Sequence, residues 1–440
     1  METELCAIAP ADWQIRSVED ICVRVTSGGT PSRRGPAYYA GGTWPWVKTQ
    51  ELQDKWIDDT EEHITEEAVA SSSAKVLPAH TVLVAMYGAT VGQLGILRRP
   101  MTCNQACSAL IVNPAEADYR FLYFQLLQVR SQLKSLATGA AQQNLSGVLI
   151  KSLRLPFPPV EEQRAIAHML GTLDDKIELN RRMNETLEAM ARALFKSWFV
   201  DFDPVRAKAE GRDPGLPKPI ADLFPDRLVD SELGEIPEGW EVAPLPEVVD
   251  VNPTRALRKG IEAPYLDMAN MPTRGHSADE VVDRAFGSGM RFINGDTLVA
   301  RITPCLENGK TAFVDFLQDG QSGWGSTEYI VLRPKAPLPE EYAYCLARSA
   351  EFREFAIQSM TGTSGRQRVP AESLAHFRVA VPPKPIADAF GRVVKSTFAR
   401  TGAAVREYRT LAVLRDTLLP RLVSGELRVK DAENFIGRAV

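Results

Sequence analysis

The sequence has no apolar run approaching the ~20 residues that a membrane span requires. Its opening stretch, Met1-Glu2-Thr3-Glu4-Leu5-Cys6, puts acids where a secretory leader carries basic residues. A cytoplasmic chain without membrane contact is expected. Cysteine is scarce and scattered (Cys6, Cys22, Cys103, Cys107, Cys305, Cys345), as for reduced, packed thiols. Cys103 and Cys107 form one suggestive pair, but zinc takes four ligands and no second Cys/His pair lies near, so no metal is expected. There is no G-x-S-x-G elbow, no H-E-x-x-H and no C-x-x-C. Asn308-Gly309-Lys310-Thr311 ends like a phosphate-binding loop, but Pro304 stands where its first glycine belongs. Gly287-Ser288-Gly289 lacks the third glycine of a dinucleotide fingerprint, and Asn113-Pro114 and Asn252-Pro253 lack the second proline of an amino-methyltransferase motif. Positive charge is not in excess either. The net charge is −5, which argues against general coating of nucleic acid. These absences leave a binding protein without a catalytic centre or cofactor of its own.

What is present begins with length. At 440 residues, 44% hydrophobic and 24% charged, the chain has material for two to four domains. Charge is segregated. Ile21 to Gln50 holds Arg24, Arg33, Arg34 and Lys48 with no acid, and Asp54, Asp58, Asp59, Glu61, Glu62, Glu66 and Glu67 follow at once.

The chain also repeats itself. Ala11-Asp12-Trp13-Gln14-Ile15, with Val18 and Ile21, is echoed by Glu238-Gly239-Trp240-Glu241-Val242, with Leu245 and Val248. Pro78 to Ala85 is echoed by Asn294 to Arg301, each a turn leading into a β-rich run. Leu110 to Pro114 is echoed by Ile330 to Pro334. Thr138-Gly139 leads through a polar loop to Leu153-Arg154-Leu155-Pro156-Phe157-Pro158-Pro159, and Thr361-Gly362 leads to Phe377-Arg378-Val379-Ala380-Val381-Pro382-Pro383. Four echoes in one order indicate duplication rather than chance.

A long helical pattern follows each Pro-Pro pair. In the first, Ile166, Leu170, Leu173, Ile177, Leu187, Ala191, Leu194 and Trp198 mark a heptad seam interrupted by Asn180 and Asn184. In the second the seam runs Phe390, Val394, Thr397, Thr401, Ala404, Tyr408, Leu411, Arg415, Leu418 and Leu422. A helix from 161 to 199 is roughly 58 Å long and cannot bury its seam alone. The shared phase predicts that the two helices pair with each other. The expected fold class is α+β: two repeated mixed α/β domains, each followed by a long helix, the helices forming an antiparallel coiled coil with pseudo-two-fold symmetry. The expected segments are a first domain at 1–160, a central helix at 161–202, a Pro/Gly/charge-rich linker at 203–238, a second domain at 239–384, a second helix at 385–426 and a tail at 427–440.

Several strings are more specific than composition. They are Leu155-Pro156-Phe157-Pro158-Pro159-Val160-Glu161-Glu162-Gln163-Arg164-Ala165-Ile166-Ala167, Leu173-Asp174-Asp175-Lys176-Ile177-Glu178-Leu179-Asn180 and Ala193 to Arg206. Leu233-Gly234-Glu235-Ile236-Pro237-Glu238-Gly239-Trp240 and Gly28-Gly29-Thr30-Pro31 join them. Over nearly its whole length the chain resembles the specificity subunit of type I restriction–modification systems. The resemblance implies two target-recognition domains, each reading half of a bipartite site in double-stranded DNA. It implies two helices that space the domains and dock two modification (methyltransferase) subunits, with restriction (motor-nuclease) subunits joining. S-adenosylmethionine, ATP and Mg are then expected on the partners. The second half departs from the pattern, with Pro383-Lys384-Pro385-Ile386-Ala387 in place of the Pro-Pro-x-x-Glu-Gln string.

Arginine suits guanine, and asparagine and glutamine suit adenine. By residue type and place, the first domain's candidate DNA contacts are Thr30, Ser32, Arg33, Arg34, Tyr38, Lys48 and Tyr87, with Gln142, Gln143 and Asn144 in its polar loop. The second domain's are Arg255, Arg258, Lys259, Arg301 and Lys310, with Thr363, Ser364, Arg366, Gln367 and Arg368 in the matching loop. Any one of these taken alone is more often a solvated surface group. Trp13 and Trp240 read as core anchors. Two other roles stay open: a non-catalytic assembly scaffold, and the reader of a related combined restriction–methylation enzyme.

Overall fold

A computed structural model describes residues 2–137, 144–278, 280–363 and 365–432. The chain divides into two compact units, 1–176 with 410–440, and 177–409. The two long helices, Val160–Phe199 and Lys384–Val423, each give part of their length to both units. No helix among the described residues is long and apolar enough to cross a membrane.

Unit 1 is built on a five-stranded sheet. Its order is Cys22–Ser27, Cys107–Val112, Val82–Ala85, Leu94–Leu97 and Lys55–Ile57. The strand Val82–Ala85 is buried on both faces, which its unbroken apolar run dictates. Side chains alternate across a strand. Val82 and Val84 accordingly join Leu94, Ile96 and Leu110 in one apolar cluster, while Leu83 and Ala85 join Leu97 and Ala109 in another. Helix Tyr119–Gln128, capped by Asp118, lays Phe121 and Leu122 on the first cluster. The strand Gln14–Ser17 pairs antiparallel with Arg154–Phe157 just before the central helix.

Unit 2 repeats this plan. Its four-stranded sheet runs Val249–Val251, Tyr329–Pro334, Thr297–Ala300 and Thr311–Phe313. Glu241–Pro244 pairs with Arg378–Val381 before the second helix. Trp13 and Trp240 are both buried in the cores. The amide of Val18 donates to the Leu153 carbonyl at 2.9 Å, and that of Leu245 to Phe377 at 2.8 Å. Asn113 donates to Ile21 at 2.9 Å, and Lys335 to Val248 at 2.8 Å. His80 and Gly295, both with positive φ, donate to Leu97 and Val314 at 2.7 Å each.

These bonds correct two of the sequence echoes. Gly295, not Asp296, is the counterpart of His80, so the strands match one residue out of step with the Pro78/Asn294 alignment. A one-residue slip turns every side chain to the other face. The corrected register places Leu83 and Leu298 on equivalent clusters. Leu110 matches Leu332 rather than Ile330, a slip of two that preserves the faces.

The long helices pair within each unit. In unit 1, Ile166, Leu170 and Leu173 meet Leu418 and Leu422, with Leu411 partly buried against them. Asp174 there accepts from Arg415 at 2.8 Å. Burial pushes the Asp174 carboxyl above its ordinary pKa, against the pull of Arg415. In unit 2, Phe195, Trp198 and Phe199 pack on Phe390 and Val394, with the Phe199 and Phe390 rings 4.8 Å apart edge to face. The early part of one helix thus meets the late part of the other, so the pairing is antiparallel. Ile177 is buried and Asn180 donates to Glu407 at 3.1 Å. Beyond Asn184, Ala191 and Trp198 are buried in line with the heptad reading, but Glu188 and Phe195 are buried in place of Leu187 and Leu194, which are half-buried. A straight helix drifts ~20° per heptad, and that drift brings Glu188 and Phe195 inward at two of the seam positions.

Gln163 explains part of the string after Pro158-Pro159. It is buried, donates to the Pro158 carbonyl at 2.8 Å and accepts from the Asp118 amide at 2.9 Å. The second helix has Ala387 at the matching place, fully buried. Residues 203–238, expected as linker, are folded. Helix Asp203–Ala209 and the hairpin of Leu228–Ser231 with Gly234–Pro237 bury Val205 and Ile236, and Phe224 packs edge to face on Trp198 at 5.0 Å.

Candidate nucleic-acid interface

In unit 1 the glycine pair of Gly28-Gly29-Thr30-Pro31 is squeezed between two chain segments. A Cβ on Gly28 would lie 2.0 Å from the Cys103 carbonyl oxygen, and one on Gly29 would lie 2.3 Å from the Ser73 carbonyl carbon. Only glycine permits that approach. It carries exposed Thr30 to the turn at Gln105, where the hydroxyl donates to the Gln105 side-chain carbonyl.

The basic stretch and the acidic run that follows it fold onto each other. Arg33 pairs with Glu62 at 2.7 Å and lies over the rings of Tyr39 and Trp46, 4.3 and 5.3 Å from their centroids. Lys48 pairs with Glu61 and Glu62 at 3.1 Å each. Arg98, Arg99 and Arg130 hold Asp58, Asp59 and Asp54. The hydrogen bond from Arg33 holds the Glu62 carboxyl below its ordinary pKa. Charge segregated along the sequence is therefore paired in space, because strands Trp44–Val47 and His63–Ile64 are neighbours in one small sheet. Ser32 and Arg34 are exposed, and Tyr38 is half-buried against the Trp46 cluster.

Three loop tips of unit 1 meet. The Met86 amide donates to the Ala106 carbonyl at 2.8 Å, and the Leu145 amide to the Met86 carbonyl at 2.8 Å. Tyr87 bridges Asn144. Tyr87, exposed Gln105 and exposed Asn144 thus share one edge with Thr30. Gln142 and Gln143 lie outside the described residues. Gln105 was not singled out by sequence reasoning; only its pairing with the Met86 turn brings it here.

Unit 2 has the same frame. The Arg301 amide donates to Glu328 at 3.0 Å, the Val369 amide donates to Arg301 at 2.8 Å, and Ile302 bridges Arg368. Arg301 and Arg368 both hold Glu328. The hydrogen bond from Arg368 is the first cause of a lowered Glu328 pKa. Thr363 and Arg366 are exposed beside them, and Gln367 is held through its backbone by Thr303 at 3.0 and 3.1 Å. Ser364 lies outside the described residues. Arg258 and Lys259 are exposed on the turn before strand Glu262–Leu266.

The side chains of two further candidates bind a buried carboxylate or backbone carbonyls. Arg255 grips Asp296, 0% exposed, through two hydrogen bonds of 3.0 and 2.6 Å. Lys310 donates to the carbonyls of Met268 and Ala269 at 2.5 and 3.0 Å. Both are engaged in holding the fold. The Lys310 contacts also give the Asn308-Gly309-Lys310-Thr311 stretch a structural use.

Residues 10–189 match the model of the type I restriction modification DNA specificity domain. The chain is 28% identical to the MjaIX type I restriction enzyme specificity subunit of Methanocaldococcus jannaschii, over 98% of this chain and 96% of that one. It is 26% identical to the HindI specificity subunit of Haemophilus influenzae, over 63% of this chain and 70% of the relative. Among solved structures, the S subunit of the M. genitalium type I system shares the fold, with a TM-score of 0.61 at 16% identity over 93% of this chain and 96% of that chain. The role named for these relatives is specificity, not catalysis. Residues 10–189 are thus similar to the type I restriction modification DNA specificity domain, in a chain similar over nearly its whole length to a specificity subunit of such a system.

Proposed function

We propose that the chain reads a bipartite sequence in double-stranded DNA and directs adenine methylation and cleavage by partner subunits. The observation that carries this reading is the duplicated frame: in each unit, three loop tips locked by equivalent backbone hydrogen bonds present polar side chains at one edge. Two such readers on one chain suit two half-sites. Phosphate contacts would give affinity, and base edges would give sequence. Exposed Arg34, Arg258, Lys259 and Arg366 are available for the phosphates or bases. With Arg33 and Lys48 already paired to acids and a net charge of −5, the isolated chain binds DNA weakly. The partners supply the remaining basic surface: two methyltransferase subunits with S-adenosylmethionine, and motor-nuclease subunits with ATP and Mg. Chemistry on an extruded base belongs to them.

The test is the methylome of cells expressing the chain with its modification subunit. A new two-part adenine-methylation motif with a fixed gap is expected. Assembly of the subunits without any new motif would favour a scaffold instead.

A further inference from the structure

One backbone frame carries different chemistry in the two units. Its turn is built alike on both sides: the Ala106 amide donates to the Asn104 side chain at 3.1 Å, and the Glu328 amide to the Ser326 hydroxyl at 3.1 Å. The side chains on it are Met86, Ala106 and Asn144 in unit 1, but Arg301, Glu328 and Arg368 in unit 2. Met86 is buried and has no donor to offer.

In unit 2 the Arg368 Nε lies 2.9 Å from each Glu328 carboxylate oxygen, and Nη2 is 2.8 Å from Oε1. The Arg301 Nε is 3.3 Å from Oε2. Glu328 is saturated by these bonds, and its side chain is 22% exposed. The Arg301 side chain is engaged through Nε. Among the described residues its two terminal nitrogens have no partner, and its side chain is 30% exposed.

A guanidinium pinned at Nε offers a fork of two outward N–H groups. Guanine O6 and N7 in the major groove accept such a fork. A phosphate needs no such aim, and it would gain little from a trio whose two cations share one carboxylate. Building on the DNA-reading role proposed above, we infer that Arg301 reads a guanine in the half-site addressed by unit 2, and that Glu328, with Arg368, is the positioning group that aims it. Unit 1 reads no guanine from the matching place.

The experiment compares methylomes of the assembled methyltransferase carrying wild-type chain, Arg301→Gln, Arg301→Lys, Glu328→Gln or Glu328→Asp. Arg301→Gln and Arg301→Lys are expected to relax the same G·C position in one half of the motif, by about tenfold or more in preference. The other half and the gap stay unchanged. Glu328→Gln relaxes that position too, and Glu328→Asp restores part of the preference. The inference is overturned if Arg301→Gln keeps wild-type discrimination, the mark of a phosphate contact, or if every site loses methylation equally with the motif intact. Should Arg301→Gln fail to fold, Arg301→Lys decides. A wild-type complex with no motif at all would sink the DNA-reading role itself, whereas a normal motif without that guanine dependence sinks the inference alone.

Discussion

Arg255 shows how an arginine can look available in sequence and be committed in structure. Its partner Asp296 has no exposed surface, also accepts the Ile293 amide at 2.9 Å, and has Arg333 at 3.5 Å. Removing one member of a buried pair leaves an uncompensated charge. With Arg333 as partial relief, Arg255→Ala should cost about 3 kcal/mol, lowering the thermal midpoint by roughly 6–12 °C for a unit of this size. Arg258→Ala, on an exposed turn, should stay within about 0.5 kcal/mol. Thermal unfolding of the two variants decides the matter. An unchanged midpoint for Arg255→Ala, with loss of one half-site, would return Arg255 to the readers. Residue type alone could not separate Arg255 from Arg258. What differs is the buried carboxylate at the far end of a long-range contact, and no local pattern encodes that. Gln105 and Glu328 escaped notice for the same reason, since their place depends on strand neighbours rather than on spacing.

At the scale of elements, heptad spacing identified the long helices to within a few residues and Ile166, Leu170 and Leu173 as buried. Further along, Glu188 and Phe195 are buried where that spacing had Leu187 and Leu194, while Ala191 and Trp198 are buried. This part of the helix packs on Tyr342 of unit 2 as well as on Phe390 of the partner helix, so the apolar face follows 3.6 residues per turn instead of 3.5. Phe195 is buried among Phe199, Tyr342 and Phe390, with ring centroids 5.1 to 6.1 Å away, whereas Leu194 is half-buried. Phe195→Ala should therefore cost about 3–5 kcal/mol and Leu194→Ala clearly less. Chemical denaturation of the pair of variants measures this, and equal losses would restore the heptad seam. The same kind of long-range packing folds residues 203–238. Their prolines and glycines read as linker, yet Val205, Phe224 and Ile236 find apolar partners that composition does not reveal.

The whole molecule is a duplication in which each unit buries its own clusters around a segment of each long helix. The repeats were legible because Trp13/Trp240 and the Pro-Pro strings are distinctive. Their inner register was not, since apolar strands of similar composition slide past each other without penalty on paper. This organisation predicts what an exchange of residues 1–160 for the corresponding segment of a related specificity subunit does. The segment contains every loop tip of unit 1 that bears a candidate contact, from Thr30 to Asn144, and none of unit 2. It also supplies Phe121, Leu122 and Phe157 to the cluster that receives Ile166, Leu170, Leu418 and Leu422. A donor with apolar residues at those three places keeps the helices seated. On the proposed reading, the modification subunit assembled with the chimera should then methylate a motif in which one half is new and the other half is that of the parent. Methylome sequencing reads the result directly. A change in both halves would mean that the units do not read independently, and a change in neither would move recognition out of residues 1–160.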